Sequence, residues 1–227
     1  MTEQEDTKKI KKRDFIEIEF TAKNLSNNEV FDTNIIEEAK KLNMNVKDIK
    51  PLILCVGEGF VVKGFDEALE GKETDKEYTI KLQPEKAFGK RDKNIIRLIP
   101  LKMFLEQKIM PQAGMTLALD NNLVKVVSVS GGRVLVDFNN PIAGKDVEYK
   151  FKIKRRIEDL KEKVNALQAF FMGKTFDFDI EEKDKKIIFK DINLTPILNA
   201  LAPKFKEILN YTPEILVKKE EKAEEKK

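Results

Sequence analysis

VGEGFVVKGFDEALEGKETDKEYTIKLQPEKAFG, residues Val56 to Gly89, is the stretch whose reading decides the fold. Gly57-Glu58-Gly59 is a loop that needs backbone freedom, and Phe60-Val61-Val62 is a short apolar run. Gly64 opens a helix of about two turns, on which Phe65, Ala68 and Leu69 fall at i, i+3 and i+4 and share one face. Gly71 stands where a C′ glycine is expected. Tyr78, Ile80 and Leu82 then alternate with Thr79, Lys81 and Gln83, the period of a strand buried on one face. Pro84 ends that strand, and Ala87-Phe88-Gly89 puts an aromatic ring on the loop beyond it.

Val61-Val62-Lys63-Gly64-Phe65 and Pro84-Glu85-Lys86-Ala87-Phe88-Gly89 together resemble two motifs of the FKBP-type peptidyl-prolyl cis-trans isomerases. In that family a Val-Ile-x-Gly-Trp turn starts a short helix across a half-barrel, and the following strand ends in Pro-x-x-Ala-Tyr-Gly. Within the resemblance, Phe20 corresponds to the aromatic of the early strand, Asp32 to the pocket acid of Phe-Asp-x-x, and Leu52 and Leu54 to two apolar pocket positions. Asn139-Asn140-Pro141-Ile142-Ala143-Gly144-Lys145 is similar to the Asn-His-Pro-Leu-Ala-Gly-Lys re-entry of the SlyD-like branch, with Asn140 in place of histidine. Tyr149 then falls at the family's final pocket aromatic.

Outward from these motifs, Met1 to Arg13 reads as a flexible basic lead. Phe15 to Ala22 reads as a strand of mixed alternation, paired through a turn at Asn24 to Glu29 with Val30-Phe31-Asp32-Thr33. Ile35 to Leu42 is a short helix, and Pro51 to Val56 is a strand. The excursion from Lys90 to Asn140 departs from the minimal family pattern. Ile95 to Phe104 is apolar and broken by Pro100, and three β runs follow, joined by Asn121-Asn122 and Gly131-Gly132. The resemblance makes this an insert-in-flap domain that binds unfolded polypeptide. Beyond Lys154, Arg155 to Met172 has helical periodicity, with Ile157, Leu160, Val164, Leu167 and Phe171 recurring at threes and fours. Thr175 to Ile180 and Ile187 to Ile192 read as a hairpin. Thr195-Pro196 signals a helix start, and Pro203 is expected to break or restart that helix. Long archaeal-type members of the family carry a similar extension.

The expected fold class is therefore α+β: an FKBP-like antiparallel half-barrel with a short helix, an inserted small β-rich domain, and a C-terminal helix-hairpin-helix extension. The expected boundaries are 1–13 for the lead, 14–90 and 140–154 for the half-barrel, and 91–139 for the insert. The extension takes 155–217 and a charged tail 218–227. A hairpin with an aromatic face wants a partner, which is either the rest of the chain or a second copy. A homodimer through the extension is the favoured reading.

Of the 227 residues, 41% are hydrophobic, enough for packed cores, and 37% are charged with a net of only +3. Acids and bases are interspersed, which argues against a single-sign nucleic-acid footprint. Cys55 is the one cysteine, so no internal disulfide forms, and its apolar neighbours read as a buried, inert thiol. With no histidine, histidine-based triads, zinc sites and proton shuttles are excluded. No apolar run approaches the ~20 residues of a membrane helix, and the polar opening lacks a signal-peptide core. A cytoplasmic protein is expected, with no membrane partner.

Prolyl isomerisation breaks no covalent bond, so no metal or other cofactor is expected. An apolar pocket disfavours the polar planar amide more than the twisted transition state. By resemblance, Phe65 is the pocket floor in place of tryptophan, Val61 and Val62 form the wall, and the Val62 amide is the donor. Phe20, Leu52, Leu54, Phe88, Ile142 and Tyr149 complete the lining, and Asp32 orients groups or polarises the bound amide. Phe88 replaces the usual tyrosine, so weakened catalysis is expected. Taken singly, Phe65, Val61 and Phe88 also read as core residues and Asp32 as a turn residue. In the insert, Ile96, Leu98, Met103, Phe104 and Met110 are candidates for client binding, or equally for that module's own core. The expected partners are proline-containing and unfolded polypeptides. Two other readings stay open: a holdase or adaptor with a decayed pocket, and a ribosome- or RNA-associated module suggested by the lysine-rich segments.

Overall fold

A computed structural model describes residues 9–119 and 122–216. The expected charged tail, Met1 to Lys8 of the lead and Asn121 of the Asn-Asn turn lie outside these residues. In chain order the strands are β1 (Phe15–Asn24), β2 (Val30–Thr33), β3 (Leu52–Cys55), β4 (Glu77–Leu82), β5 (Ile96–Pro100) and β6 (Thr116–Leu119). They continue with β7 (Asn122–Ser130), β8 (Arg133–Asp137), β9 (Val147–Arg156), β10 (Phe178–Glu181), β11 (Lys186–Phe189) and β12 (Thr212–Ile215). The helices are α1 (Ile36–Lys41), α2 (Lys63–Leu69), α3 (Leu101–Glu106), α4 (Leu160–Met172) and α5 (Thr195–Leu209). The result is a mixed α/β structure whose sheets are antiparallel apart from one parallel pair, β11 with β12. No helix among the described residues is long and apolar enough to cross a membrane.

The first sheet runs β2-β1-β9-β4, with β3 on the same edge of β1 as β2 but at the strand's other end. Strand periodicity explains its two faces. Ile16, Ile18, Phe20 and Ala22 of β1 meet Val147, Tyr149, Phe151 and Ile153 of β9 in one core, closed by Phe65 and Leu69 of α2. Phe15 points the other way, into a second core with Cys55 of β3, Val164 and Leu167 of α4, Phe189 of β11 and Phe205 of α5. The mixed alternation of β1 thus reflects burial on both faces at one end.

Helix α2 lies close against β4. A Cβ on Gly64 would stand 2.8 Å from Leu82 Cδ2, 2.8 Å from Lys86 Cβ and 2.9 Å from the Lys86 carbonyl oxygen, so only glycine lets the helix approach. Gly71, at φ +76°, follows the end of the helix, and its N–H donates to the Ile10 carbonyl at 2.8 Å.

The second sheet runs β5-β8-β7-β6 around a small core of Phe104, Val124, Val126, Val134 and Val136. The segments that enter and leave it are tied to each other by side chains. The Asp92 N–H donates to Asn139 Oδ1 at 2.8 Å, Asn139 Nδ2 returns a bond to the Asp92 carbonyl at 2.9 Å, and Arg91 pairs with Asp137. The third sheet runs β10-β11-β12 and packs with α4 and α5 into the second core.

Several sequence expectations are corrected. In the described part of the lead, Ile10 is buried and its N–H donates to the Lys72 carbonyl at 2.8 Å, because this apolar residue finds a site in the half-barrel core. Arg155 and Arg156 end β9 instead of starting a helix, held by Glu17 and Asp14. Helix α4 starts after Asp159, whose carboxylate accepts the Glu162 N–H at 2.8 Å. Helix α5 runs unbroken through Pro203, since Leu198 and Phe205 bury its inner face and tertiary packing outweighs one lost hydrogen bond. The Thr175 to Ile180 run becomes a strand only at Phe178, because the Phe176 N–H is taken by buried Gln168 Oε1 at 2.7 Å.

Candidate functional site

Four elements bring the expected pocket residues into the first core. Phe20 comes from β1, Phe65 from α2, Tyr149 from β9 and Phe88 from the loop after β4. Phe65 and Tyr149 stack at 4.5 Å between centroids, and Phe20 lies edge-on to Phe65 at 6.0 Å and tilted against Tyr149 at 6.1 Å. Half-buried Leu52, Val61, Val62, Phe88 and Ile142 pack around this group.

Depth separates these residues. Leu54 and Phe65 have no accessible surface, while Tyr149 and Phe20 keep 5% and 7%. Leu54 therefore supports the cluster from behind instead of lining it, and Phe65 is a covered floor instead of an open one. Its ring is covered by Phe20, Tyr149 and Phe151, the last at 5.0 Å between centroids. Phe31, which the sequence does not mark as a site residue, lies edge-on to Phe88 at 5.6 Å and to Tyr149 at 6.4 Å. A four-residue strand such as β2 shows too little periodicity to mark Phe31; its place beside Asp32 was the available signal.

Asp32 stands at the rim, its residue open to water on one flank. Loss of solvent around the carboxyl raises its pKa, with the Thr33 backbone bond pulling the other way. Burial, and then the Asp32 charge, raise the pKa of the Tyr149 hydroxyl. Behind them Asn34, also unremarked in the sequence, accepts the Phe20 N–H at 2.7 Å and donates to the Ile18 carbonyl at 2.7 Å. Those two bonds fix the strand segment that carries Phe20.

Val62 is the N-cap of α2. Its carbonyl accepts the N–H groups of Phe65 at 2.9 Å and Asp66 at 3.0 Å. Its own N–H meets no acceptor among the described residues. The loop before it is held from within by Asp66, 7% exposed, whose two carboxylate oxygens accept the N–H groups of Gly57 at 2.8 Å and Gly59 at 2.9 Å. A free amide beside stacked rings, on a braced loop, can hold one carbonyl oxygen next to an apolar surface.

In the insert the candidates divide. Leu98, Met103 and Met110 are 60%, 53% and 72% exposed. Ile96 is half-buried, and Phe104, at 3%, belongs to the insert's own core. Phe104 therefore leaves the client-binding set: the apolar run broken by Pro100 forms α3, which turns it inward. Leu105, another of the insert's apolar residues, is 47% exposed, and Leu123, which the sequence does not mark, is 57% exposed; both add to the exposed apolar surface.

Comparison with known proteins gives two family matches. Residues 6–105 match the FKBP-type peptidyl-prolyl cis-trans isomerase family, and residues 97–142 match the FKBP26 IF domain. A short-type peptidyl-prolyl cis-trans isomerase from Methanocaldococcus jannaschii is 33% identical over 147 residues, covering 64% of this chain and 92% of that protein. The FKBP-type isomerase SlyD of Aeromonas hydrophila is 29% identical over 128 residues, 56% of this chain and 55% of its own length. SlyD of Escherichia coli is 25% identical over 107 residues, 45% of this chain and 54% of its own. The chain thus spans about half the length of these two SlyD relatives.

Proposed function

This chain belongs to the FKBP-type peptidyl-prolyl cis-trans isomerase family, and we propose that it catalyses rotation about peptide bonds preceding proline and, through its insert, holds unfolded polypeptide. The observation that carries the first half is the free Val62 N–H beside the Phe20–Phe65–Tyr149 ring cluster. Amide resonance sets a rotational barrier of roughly 18–20 kcal/mol. The twisted amide has lost part of its charge separation, so a dry aromatic site binds it better than the planar ground state. Each ~1.4 kcal/mol of that difference is tenfold in rate.

In this reading the Val62 N–H donates to the substrate carbonyl and the proline ring enters among Phe20, Tyr149 and Phe88. Phe65 itself has no accessible surface, so the proline ring meets Phe20 and Tyr149 before it. Asp32 stands at the rim and orients the approaching chain. The test is refolding of a proline-limited protein with catalytic amounts of this chain: a rate equal to the uncatalysed one ends the isomerase reading.

Leu98, Met103 and Met110 support the second half, since exposed flexible apolar side chains suit promiscuous contact with unfolded chains. Changing all three to serine separates the two activities: aggregation suppression falls while proline turnover on short peptides stays. The same proposal includes self-association through the C-terminal extension, where Ile192, Ile197 and Leu216 are 70%, 37% and 48% exposed. Light scattering at the mass of a single chain removes that part. It also includes a cytoplasmic location, which cell fractionation tests.

A further inference from the structure

We infer that the C-terminal extension is a positioning element for the isomerase pocket, acting through Phe60 and Glu58 on the loop that carries Val61 and Val62. Four consecutive residues of that loop are held, alternately from two sides. Gly57 and Gly59 give their N–H groups to Asp66 of α2, inside the half-barrel. Glu58 and Phe60 reach outward to the extension. The Phe60 ring stacks on Phe170 of α4 at 4.0 Å and 12°, and lies edge-on to Phe171 at 6.4 Å.

The Glu58 side chain is only 6% exposed. It takes Lys204 Nζ of α5 at 3.2 Å and Arg13 Nε at 3.5 Å, and both cations also meet Glu207 of α5, at 3.3 Å and 2.5 Å. Phe60 packs against both cores, and the pocket wall is the next residue in the chain. The face of Phe60 turned to the extension is therefore fixed by residues lying beyond the end of the half-barrel.

Two physical arguments make this more than attachment. A loop rich in glycine loses much backbone entropy on ordering, so one internal carboxylate leaves it freer than the pocket requires. A hydrogen-bond donor contributes to rate only when it already stands where the transition state needs it, and small displacements are costly. Releasing Phe60 and Glu58 keeps the pocket's composition and loosens its wall. Phe170 and Lys204 touch no substrate in this picture; they are positioning residues.

The inference rests on the isomerase reading, and its test separates the two. Phe170→Ala and Lys204→Ala, singly and together in the full chain, are assayed on a proline peptide, with Phe170→Tyr and Lys204→Arg as restoring variants. The double variant is expected to lose about tenfold in kcat with KM changed less than about twofold, as for an interaction realised in the transition state. Tyrosine and arginine restore most of the loss. Amide resonances are read in parallel, and those of Gly57, Gly59, Val61 and Val62 are expected to broaden or shift in the double variant.

Phe170 is 41% exposed and Lys204 lies at the surface, so these changes leave the cores intact. An unchanged kcat in the double variant, or a loss that follows melting temperature and is not restored by the conservative variants, overturns the inference. Should the wild type show no turnover, the isomerase reading falls and the resonances decide: unmoved loop amides overturn the positioning role, shifted ones retain it for the loop.

Discussion

Gly64→Ala sets two opposed effects against each other at the centre of the fold. Alanine is the better helix former, by about 1 kcal/mol in a helix interior. Against this, the new Cβ at Gly64 meets Leu82 Cδ2 and Lys86 Cβ at 2.8 Å and the Lys86 carbonyl oxygen at 2.9 Å. One of the three is backbone, and Leu82 is itself buried, so neither neighbour yields freely. Overpacking of this kind costs about 1–3 kcal/mol, and three simultaneous contacts place it at the upper end. The net expectation is a loss of about 2 kcal/mol, which for a chain of this size lowers Tm by about 4–8 °C. Urea and thermal unfolding measure it. Ala68→Gly on the same helix is the control, expected to lose about 1 kcal/mol through propensity alone. Relief of the clash tilts α2 away from β4 and carries the Val62 N–H with it, so proline turnover falls as well. A Gly64→Ala protein as stable as wild type, or more so, refutes the close approach of α2 to β4.

Three further outcomes are expected. Phe88→Tyr restores a hydroxyl at the half-buried rim; one hydrogen bond of about 1 kcal/mol raises kcat/KM about fivefold, and an unchanged value means the rim hydroxyl has no acceptor in the transition state. The Cys55 thiol, pushed up to about 12 by burial and then by the Glu58 and Asp66 carboxylates, has no accessible surface. Iodoacetamide at pH 8 therefore labels it only through opening of the fold, and rapid labelling of the native protein contradicts its burial. Asp32 has its folded-state pKa raised, so between the unfolded and folded values the native state holds the extra proton. Its contribution to stability accordingly falls as pH rises through that window. Asp32→Asn flattens the dependence, as denaturant midpoints across a pH series will read, and an unaltered slope excludes Asp32 as the group.

Much of the half-barrel was legible because its signals are local. Gly64 and Gly71 punctuate α2, and Tyr78, Ile80 and Leu82 keep a strict period of two. Residues whose place depends on distant packing were not legible. Phe31 reaches Phe88 and Tyr149 only because β2 folds back on β1, and Phe104 turns inward only because Pro100 starts α3. Strand β12 carries Pro213, an unlikely strand residue in a sequence pattern, which the structure accommodates on the edge of the third sheet, against β11. Pro203 sits inside α5 for the same class of reason: local propensity yields to the face that Leu198 and Phe205 bury. Within the site, Phe20, Phe65, Phe88 and Tyr149 could be read from the sequence, but Phe31 and the depth of the rings could not.

The place of β9 in the first sheet fixes an order of assembly. This strand lies between β1 and β4, and its pairing with β1 joins Ile16 to Arg156. The four strands of the insert, by contrast, pair entirely within residues 96–137. Short-range pairings close sooner than long-range ones. As the chain leaves a ribosome, every strand of the insert's sheet emerges before the strand that seals the half-barrel. The part with exposed methionines and leucines is thus built first, and the ring cluster around Phe65 gains its Tyr149 only after that module has emerged.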